Sequence, residues 1–276
     1  MQFVDRALAR RLESAEEMPQ VYYARLFQKL RPEIGAAEEE ICGGHMVFAG
    51  LGSPIGRATG LGLDRSFTVQ DLDRVEEFYR SRDAPSQVDL CPLHDPALWE
   101  TFKERGYAVA ELNQVLWRPL RRRDRLDSST FPDPPVGVEV RPGRPEEAEA
   151  FADIVARSFH ESGDAPEGFG AMLAPLFQMP GAVTFVASIN GEMAGVGAGL
   201  VIPEHNVVAL FGAGTKLEFR GRGIQTAILA ARLKLAAEAG CEYAVIVTQG
   251  GTTSQRNSER MGFRVACSKA TVVKKM

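Results

Sequence analysis

Phe219-Arg220-Gly221-Arg222-Gly223-Ile224-Gln225-Thr226 sets two glycines and two arginines between an apolar run, Val207 to Gly214, and the start of a helical pattern. Glycine lets backbone approach a ligand closely. A new helix offers N–H groups that have no intrahelical partner, at the positive end of its dipole. A turn built this way attracts an anion and reads as a phosphate cradle. The Walker-type loop requires Lys and then Ser or Thr after its last glycine, and Ile224-Gln225 follow here, which argues against a nucleoside triphosphatase. Gly221-Arg222-Gly223 begins like a dinucleotide fingerprint, but Thr226 stands at the third glycine position and no acid of a βαβ unit is evident.

The stretch resembles the pyrophosphate loop of the GNAT superfamily of N-acetyltransferases, Arg/Gln-x-x-Gly-x-Gly/Ala between a strand and a helix. Arg220 and Gly223 match, and the helical pattern Ile224 to Ala239 follows. Gln225 departs at the last position, a change expected to tighten the contact with one phosphate. A second stretch, Ser254-Gln255-Arg256-Asn257-Ser258-Glu259-Arg260-Met261-Gly262-Phe263, resembles the family's fourth helix with its terminal Gly-Phe. The resemblance implies acetyl-CoA as co-substrate. Its pyrophosphate would be held by the N–H groups of Gly221, Arg222, Gly223, Ile224 and Gln225 at the helix start that Thr226 continues. Ala213, Gly214 and Thr215 would offer strand-edge backbone to the pantetheine arm, because members of the family splay two strands there. Arg222 pairs with a phosphate or is an exposed loop residue; Asn257 bonds the cofactor or lies on the surface; Ser254 joins it or caps its helix.

Acyl transfer to an amine needs a neutral nucleophile, a path for its proton and an acid for the leaving thiolate. The family often places a Tyr four residues before the helix-ending glycine, and Ser258 occupies that position. A Glu on the fourth strand is the common base, yet Val207 to Thr215 holds no ionisable residue. The sequence therefore names no catalytic residue. His160, Glu161 and Asp164 fall in the region that shapes the acceptor site in the family, where they contact the acceptor or are simply solvated.

The elements that must position these residues are readable from periodicity. Helices are expected at Phe3 to Glu17, Val21 to Leu30 after Pro19, Val69 to Arg80 and Asp95 to Arg105, with a hairpin about Gly43-Gly44 and strands at Gln87 to Cys91 and Ala110 to Arg118. Gly50 to Gly62 reads as loops, through turn chemistry or as a ligand cradle. In the second half the expectations are a strand at Val138 to Arg141, a helix at Pro145 to His160 and another through Met172 to Phe177. Strands then follow at Ala182 to Ile189 and Ala194 to Ile202, joined at Asn190-Gly191, before Val207 to Gly214, the cradle helix and Tyr243 to Thr248.

Advancing Ser86 to Arg118 by 156 positions, the separation of Gly106 and Gly262, lays Phe102-Lys103-Glu104-Arg105-Gly106-Tyr107 on Ser258 to Phe263 without a gap. The same shift sets Asp64 to Val69 opposite Arg220 to Gln225, with no glycine where Gly221 and Gly223 stand. The expectation is an α+β (mixed α/β) protein of two tandem GNAT-like domains, each a mixed, mainly antiparallel sheet flanked by helices. Residues 1–120 form a degenerate copy lacking the cofactor loop, 121–137 a Pro- and Arg-rich linker, and 138–276 the acetyltransferase domain.

The 276 residues are 45% hydrophobic with a net charge of −4, enough for a proper core and contrary to a nucleic-acid binder. Charges interrupt Met1 to Leu30, so no signal-peptide core is present, and no window has the ~20 apolar residues of a membrane helix. A cytoplasmic protein without membrane contact is expected. The four cysteines and four histidines are scattered without ligand spacing, so no metal is expected. The leading function is acetylation of a primary amine on a small molecule or peptide. A non-catalytic acyl-CoA-binding regulatory module and a tandem enzyme of small-thiol biosynthesis stay open, as does a homodimer.

Overall fold

The protein is described by a computed structural model that covers residues 3–53, 55–94, 97–121, 131–158 and 174–275. Helix α1 (Arg6–Leu30) begins at Asp5, whose side chain accepts from the Leu8 N–H at 2.8 Å, and runs unbroken through Pro19. The two helices expected around that proline are therefore one. An interior proline costs about 3 kcal/mol, but the apolar stripe of Leu8, Leu12, Ala15, Val21, Ala24 and Phe27 is buried on both sides of it. Each such side chain contributes about 1.5–3 kcal/mol when covered, so burial wins. Val21 and Ala24 pack on Val47 of a hairpin, β1 (Ala37–Ile41) and β2 (Gly44–Phe48), whose turn is Cys42-Gly43 with both residues at positive φ.

The rest of the first half is α2 (Val69–Arg80), β3 (Ser86–Leu90), α3 (Ala97–Glu104) and β4 (Ala108–Pro119). Leu72, Val75, Phe78 and Tyr79 of α2 share a core with Val88, Leu90, Phe102 and Val272. The second half runs β5 (Val138–Pro142), α4 (Ala148–Ser158), β6 (Ala182–Ile189), β7 (Glu192–Ile202), β8 (Val207–Thr215), α5 (Ile224–Glu238), β9 (Tyr243–Gln249), α6 (Thr253–Arg260) and β10 (Arg264–Lys274). β5 to β8 pair antiparallel in order, and β9 joins β8 in parallel. The helix expected from Pro145 opens as a 3-10 turn, and of the helix expected through Met172 to Phe177 the described part, Ala174–Gln178, is also a 3-10 turn. The 156-residue shift carries α2, β3, α3 and β4 onto α5, β9, α6 and β10 in order.

Packing divides the chain differently from the sequence. The described residues of Trp117–Ile246 and Arg256–Arg264 form one compact unit, and the other described residues form a second. In the unit built mainly from the first half, β10 pairs antiparallel with β3, Ala270 opposite Leu90 and Lys274 opposite Ser86. In the other, the end of β4 reaches β9: the Leu120 N–H donates to the Glu242 carbonyl at 2.7 Å, and Trp117 lies 5.4 Å from Tyr243 between ring centroids. The first unit thus takes β10 from the second half and the other takes only the end of β4, from Trp117, from the first, so the expected boundaries 1–120 and 138–276 do not coincide with the packing units.

The exchanged strand is held by buried charge. Lys269 on β10 is 2% exposed and donates to Glu16 and, at 3.3 Å, to Glu13 of α1, with Asp89 of β3 at 3.6 Å. Asp89 accepts from Thr271 Oγ1 at 2.7 Å and from Arg57 at 3.4 Å. Burial outweighs these partners and pushes the Asp89 carboxyl up to about 6.

Between about pH 4 and pH 6 the folded chain holds a proton on Asp89 that the unfolded chain has released, so this group lowers the unfolding free energy as pH rises through that window. Urea unfolding of the protein and of Asp89→Asn should show the dependence flattened in the variant, by about 1–3 kcal/mol across the window; parallel curves would contradict the assignment.

Candidate cofactor site

The site begins with two missing side chains. On β7 a Cβ at Gly195 would lie 2.6 Å from Ile224 Cγ2, and one at Gly197 2.6 Å from Ile228 Cγ2. Glycine at both positions lets α5 lie directly on the sheet. On β8 the pairing with β7 passes from Ala198 opposite Phe211 to Val196 opposite Gly214, so Gly212 and Ala213 face the single residue Gly197 in a β-bulge. Gly212 takes φ +53 there. The ladder between β8 and β9 is confined to Val207, Val208 and Ala209, paired with Tyr243, Ala244 and Val245. Among the described residues that ladder goes no further than Ala209, before Ala213, Gly214 and Thr215 are reached.

β8 leads through a 3-10 turn, Leu217–Phe219, into the cradle. Gly221 and Gly223 take φ +78 and +76, a region costly for any residue with a side chain. Gly223 is the N-cap of α5 and no side chain caps the helix. The first return bond is Ala227 N–H to the Gly223 carbonyl at 3.0 Å, which leaves the N–H groups of Ile224, Gln225 and Thr226 at the open helix start. Gly221, Arg222 and Gly223 are exposed, whereas Ile224 is buried beneath them. The Arg222 guanidinium lies 5.5 Å from the Phe219 ring centroid, and Arg220 Nε reaches back to the Thr215 carbonyl at 3.5 Å. Pro135, from the expected linker, stands 2.9 Å from where a Gly223 Cβ would be.

Two readings change. Gln225 was expected to tighten a phosphate contact, but its Nε2 donates to Thr215 Oγ1 at 2.7 Å, tying the helix start to the end of β8. Ser254 was a candidate cap for α6, but the Gln255 N–H donates to Thr252 Oγ1 at 3.3 Å, so the cap is Thr252; Ser254 also falls in the other packing unit from the cradle. Asn257 is half-buried and lies in the cradle's unit, and Ser258 is buried beside it on α6. The acceptor candidates His160, Glu161 and Asp164 lie outside the described residues, as does most of the linker. Gly195, Gly197, Gly212 and Arg232, which shape the site from β7, the bulge and α5, were not singled out from sequence. Their signal was the alternating Gly195-Val196-Gly197 and a lone Arg in an apolar helix. Among the described residues no cluster of three or more His, Cys, Asp or Glu could hold a metal ion, and no helix is long and apolar enough to cross a membrane.

The position equivalent by the 156-residue shift is closed. α2 starts at Thr68, whose hydroxyl accepts from the Asp71 N–H at 3.2 Å, while the Asp71 carboxylate takes the Thr68 N–H at 2.9 Å. Arg65 binds both Asp71 oxygens, and with the Thr68 bonds it holds that carboxyl far below the usual range. Ala58 is zipped to β3, its N–H on the Gln87 carbonyl at 2.9 Å and its carbonyl on the Asp89 N–H at 2.8 Å. The Asp71 N–H at this helix start and the strand edge at Ala58 are thus already bonded.

Comparison with known proteins gives the same architecture. The sequence profile of the Acetyltransferase (GNAT) family matches residues 148–263. A GCN5-related N-acetyltransferase from Kribbella flavida superposes with a TM-score of 0.63 at 16% identity, covering 93% of this chain and 96% of the other. A tandem GNAT protein from the clavulanic acid biosynthesis pathway gives 0.62 at 15% identity, covering 87% and 78%. A conserved protein of unknown function from Staphylococcus epidermidis gives 0.60 at 14%, covering 90% and 97%. At such identities the likeness is one of fold. No curated protein matches the sequence.

Gln225→Ala removes the bond to Thr215, so denaturant unfolding should show a loss of about 1 kcal/mol. Gly221→Ala, with open space around its Cβ but φ +78, should cost a similar ~1 kcal/mol from backbone strain alone. Unchanged midpoints would place these residues outside the ordered cradle.

Proposed function

We propose, from the premise that the chain carries an acetyltransferase (GNAT) domain in residues 148–263, that the protein binds acetyl-CoA on the start of α5 and moves its acetyl group to a primary amine of a small molecule or peptide. The observation that carries this reading is the uncapped, glycine-shaped N-terminus of α5 at the end of a strand whose edge is free. The N–H groups of Ile224, Gln225 and Thr226, with the helix dipole and the cationic Arg220 and Arg222, supply the fixed positive potential that a pyrophosphate needs. The backbone of Ala213, Gly214 and Thr215 supplies donors and acceptors in strand geometry for an amide-bearing arm. Bound there, acetyl-CoA supplies an activated thioester. The chain's part is to hold its arm straight along β8 and to keep the helix start at a set distance from that edge.

A second reading is a non-catalytic acyl-CoA-binding module. It is favoured by the buried hydroxyl of Ser258 at the position where the family often has a phenol and by the lack of any ionisable residue along β8. A turnover assay that measures free CoA across an amine panel separates the two: CoA release with one amine class supports transfer, and tight binding without release across the panel supports the module.

Calorimetry should find one CoA per chain, because the first half's equivalent helix start is filled by Thr68 and Asp71. Gly223→Asp brings a side chain at φ +76 and a negative charge into the cradle and should weaken CoA binding at least ~100-fold. Affinity for the native protein should also fall with added salt. Two equivalents of CoA, or a folded Gly223→Asp with native affinity, would refute the site.

A further inference from the structure

Arg232 lies on α5, a little over two turns beyond the cradle. It is 3% exposed and has no acidic partner among the described residues. Its Nη1 donates to the Ala198 carbonyl at 2.8 Å and reaches the Phe211 carbonyl at 3.4 Å, while Nε has no partner among the described residues. Room for the guanidinium comes from Gly197, where a Cβ would stand 3.0 Å from the Arg232 Cζ. A cation buried without a counter-charge is costly, and burial alone lowers its affinity for the proton, to a pKa of about 10. An apolar side chain would fill this part of the helix–sheet interface at less expense.

The two acceptors explain why a guanidinium is there. Ala198 and Phe211 are the last opposed pair of β7 and β8 before the register breaks, and the next pair is Val196 with Gly214. A bulge disrupts the ladder locally and exposes carbonyls that would otherwise be matched. Arg232 donates to both of them from the helix side. α5 is thereby joined to the β7–β8 pair at two places: Gln225 to Thr215 of β8 at 2.7 Å beside the cradle, and Arg232 to the carbonyls of Ala198 on β7 and Phe211 on β8 at the bulge.

We propose that Arg232 is a positioning residue: it holds the Gly212–Ala213 bulge open and so sets the backbone of Ala213, Gly214 and Thr215 against which the cofactor arm lies. The inference rests on the reading of the site given above. It deepens that reading by dividing cofactor recognition into two parts, a phosphate part set by the helix start and an arm part set by the bulge. Arg232 governs the second only.

The test is calorimetric titration with two probes, CoA and adenosine 3′-phosphate 5′-diphosphate, which keeps the phosphates and lacks the arm. Arg232→Met should lose CoA affinity by ~10-fold or more while its affinity for the armless nucleotide stays within about twofold of native. Arg232→Lys, which keeps one donor, should fall between. Gly212→Ala strains the bulge at φ +53 and should show the same split between probes. Combined with Arg232→Met it should add less than about twofold, because both act on one device. If Arg232→Met fails to fold, the Lys variant and Gly212→Ala carry the test. Equal losses for both probes, no loss in a folded variant, or full additivity of the pair overturns the proposal. Native protein that binds neither probe overturns the cofactor site itself, and a native protein that binds both while the variants show no split overturns only the role of Arg232.

Discussion

The close approach of α5 to β7, possible only because Gly195 and Gly197 have no side chains, is the constraint on which the second half depends. Ile224 and Ile228 occupy the space that Cβ atoms there would need. The helix is consequently apolar around much of its circumference, with Ile224, Ala227, Ile228, Leu229, Ala230, Leu233, Ala236 and Ala237 all buried. On the other face, Gly214 admits α4: a Cβ there would lie 2.4 Å from Ser158 Oγ and 2.8 Å from the Ile154 carbonyl. β8 is thus pressed from both sides near its end. Its bulge and the loss of pairing with β9 occur on that same stretch, and the helix start is delivered to the place where the strand edge becomes free.

The two halves illustrate the two ways a chain can satisfy a helix N-terminus. Orphan N–H groups must be met by side chains, water or a ligand. At α2 the chain meets one of them itself, the Asp71 N–H on the Thr68 hydroxyl, and Arg65 pairs with the Asp71 carboxylate. At α5 the N-cap is Gly223, and among the described residues no side chain caps it. The neighbouring strands follow suit: Ala58 is bonded to β3 on both its N–H and its carbonyl, whereas β8 leaves β9 after three pairs. Two helix starts related by one shift of 156 positions therefore differ in which hydrogen bonds are already made.

β10 is tied to the first half's elements through chemistry as well as pairing. Lys269 and Glu13 are 256 positions apart and meet in the interior of one unit. Removing one member of such a group leaves uncompensated buried charge, a change that typically costs about 3–5 kcal/mol. The cluster therefore disfavours any packing in which β10 leaves β3, whatever its net contribution to stability.

What the sequence determined by itself was local. The span of α2, the hairpin about Gly43-Gly44, whose turn falls one residue earlier at Cys42-Gly43, the turn at Asn190-Gly191, the strands β6 to β9 and the glycines of the cradle follow from short-range periodicity, turn residues and backbone freedom, all of which act within a few positions. Tertiary structure decided the rest. Pro19 stays inside a helix because apolar burial on either side outweighs its backbone penalty. Gln225 bonds Thr215, Thr252 caps α6, and Arg232 reaches the bulge, because a polar side chain takes the nearest acceptor in space and sequence does not rank those distances. β4 and β10 have the same pattern, one shift of 156 residues apart, and β10 lies on β3 with Lys269 among Glu13, Glu16 and Asp89, because a buried lysine requires counter-charges.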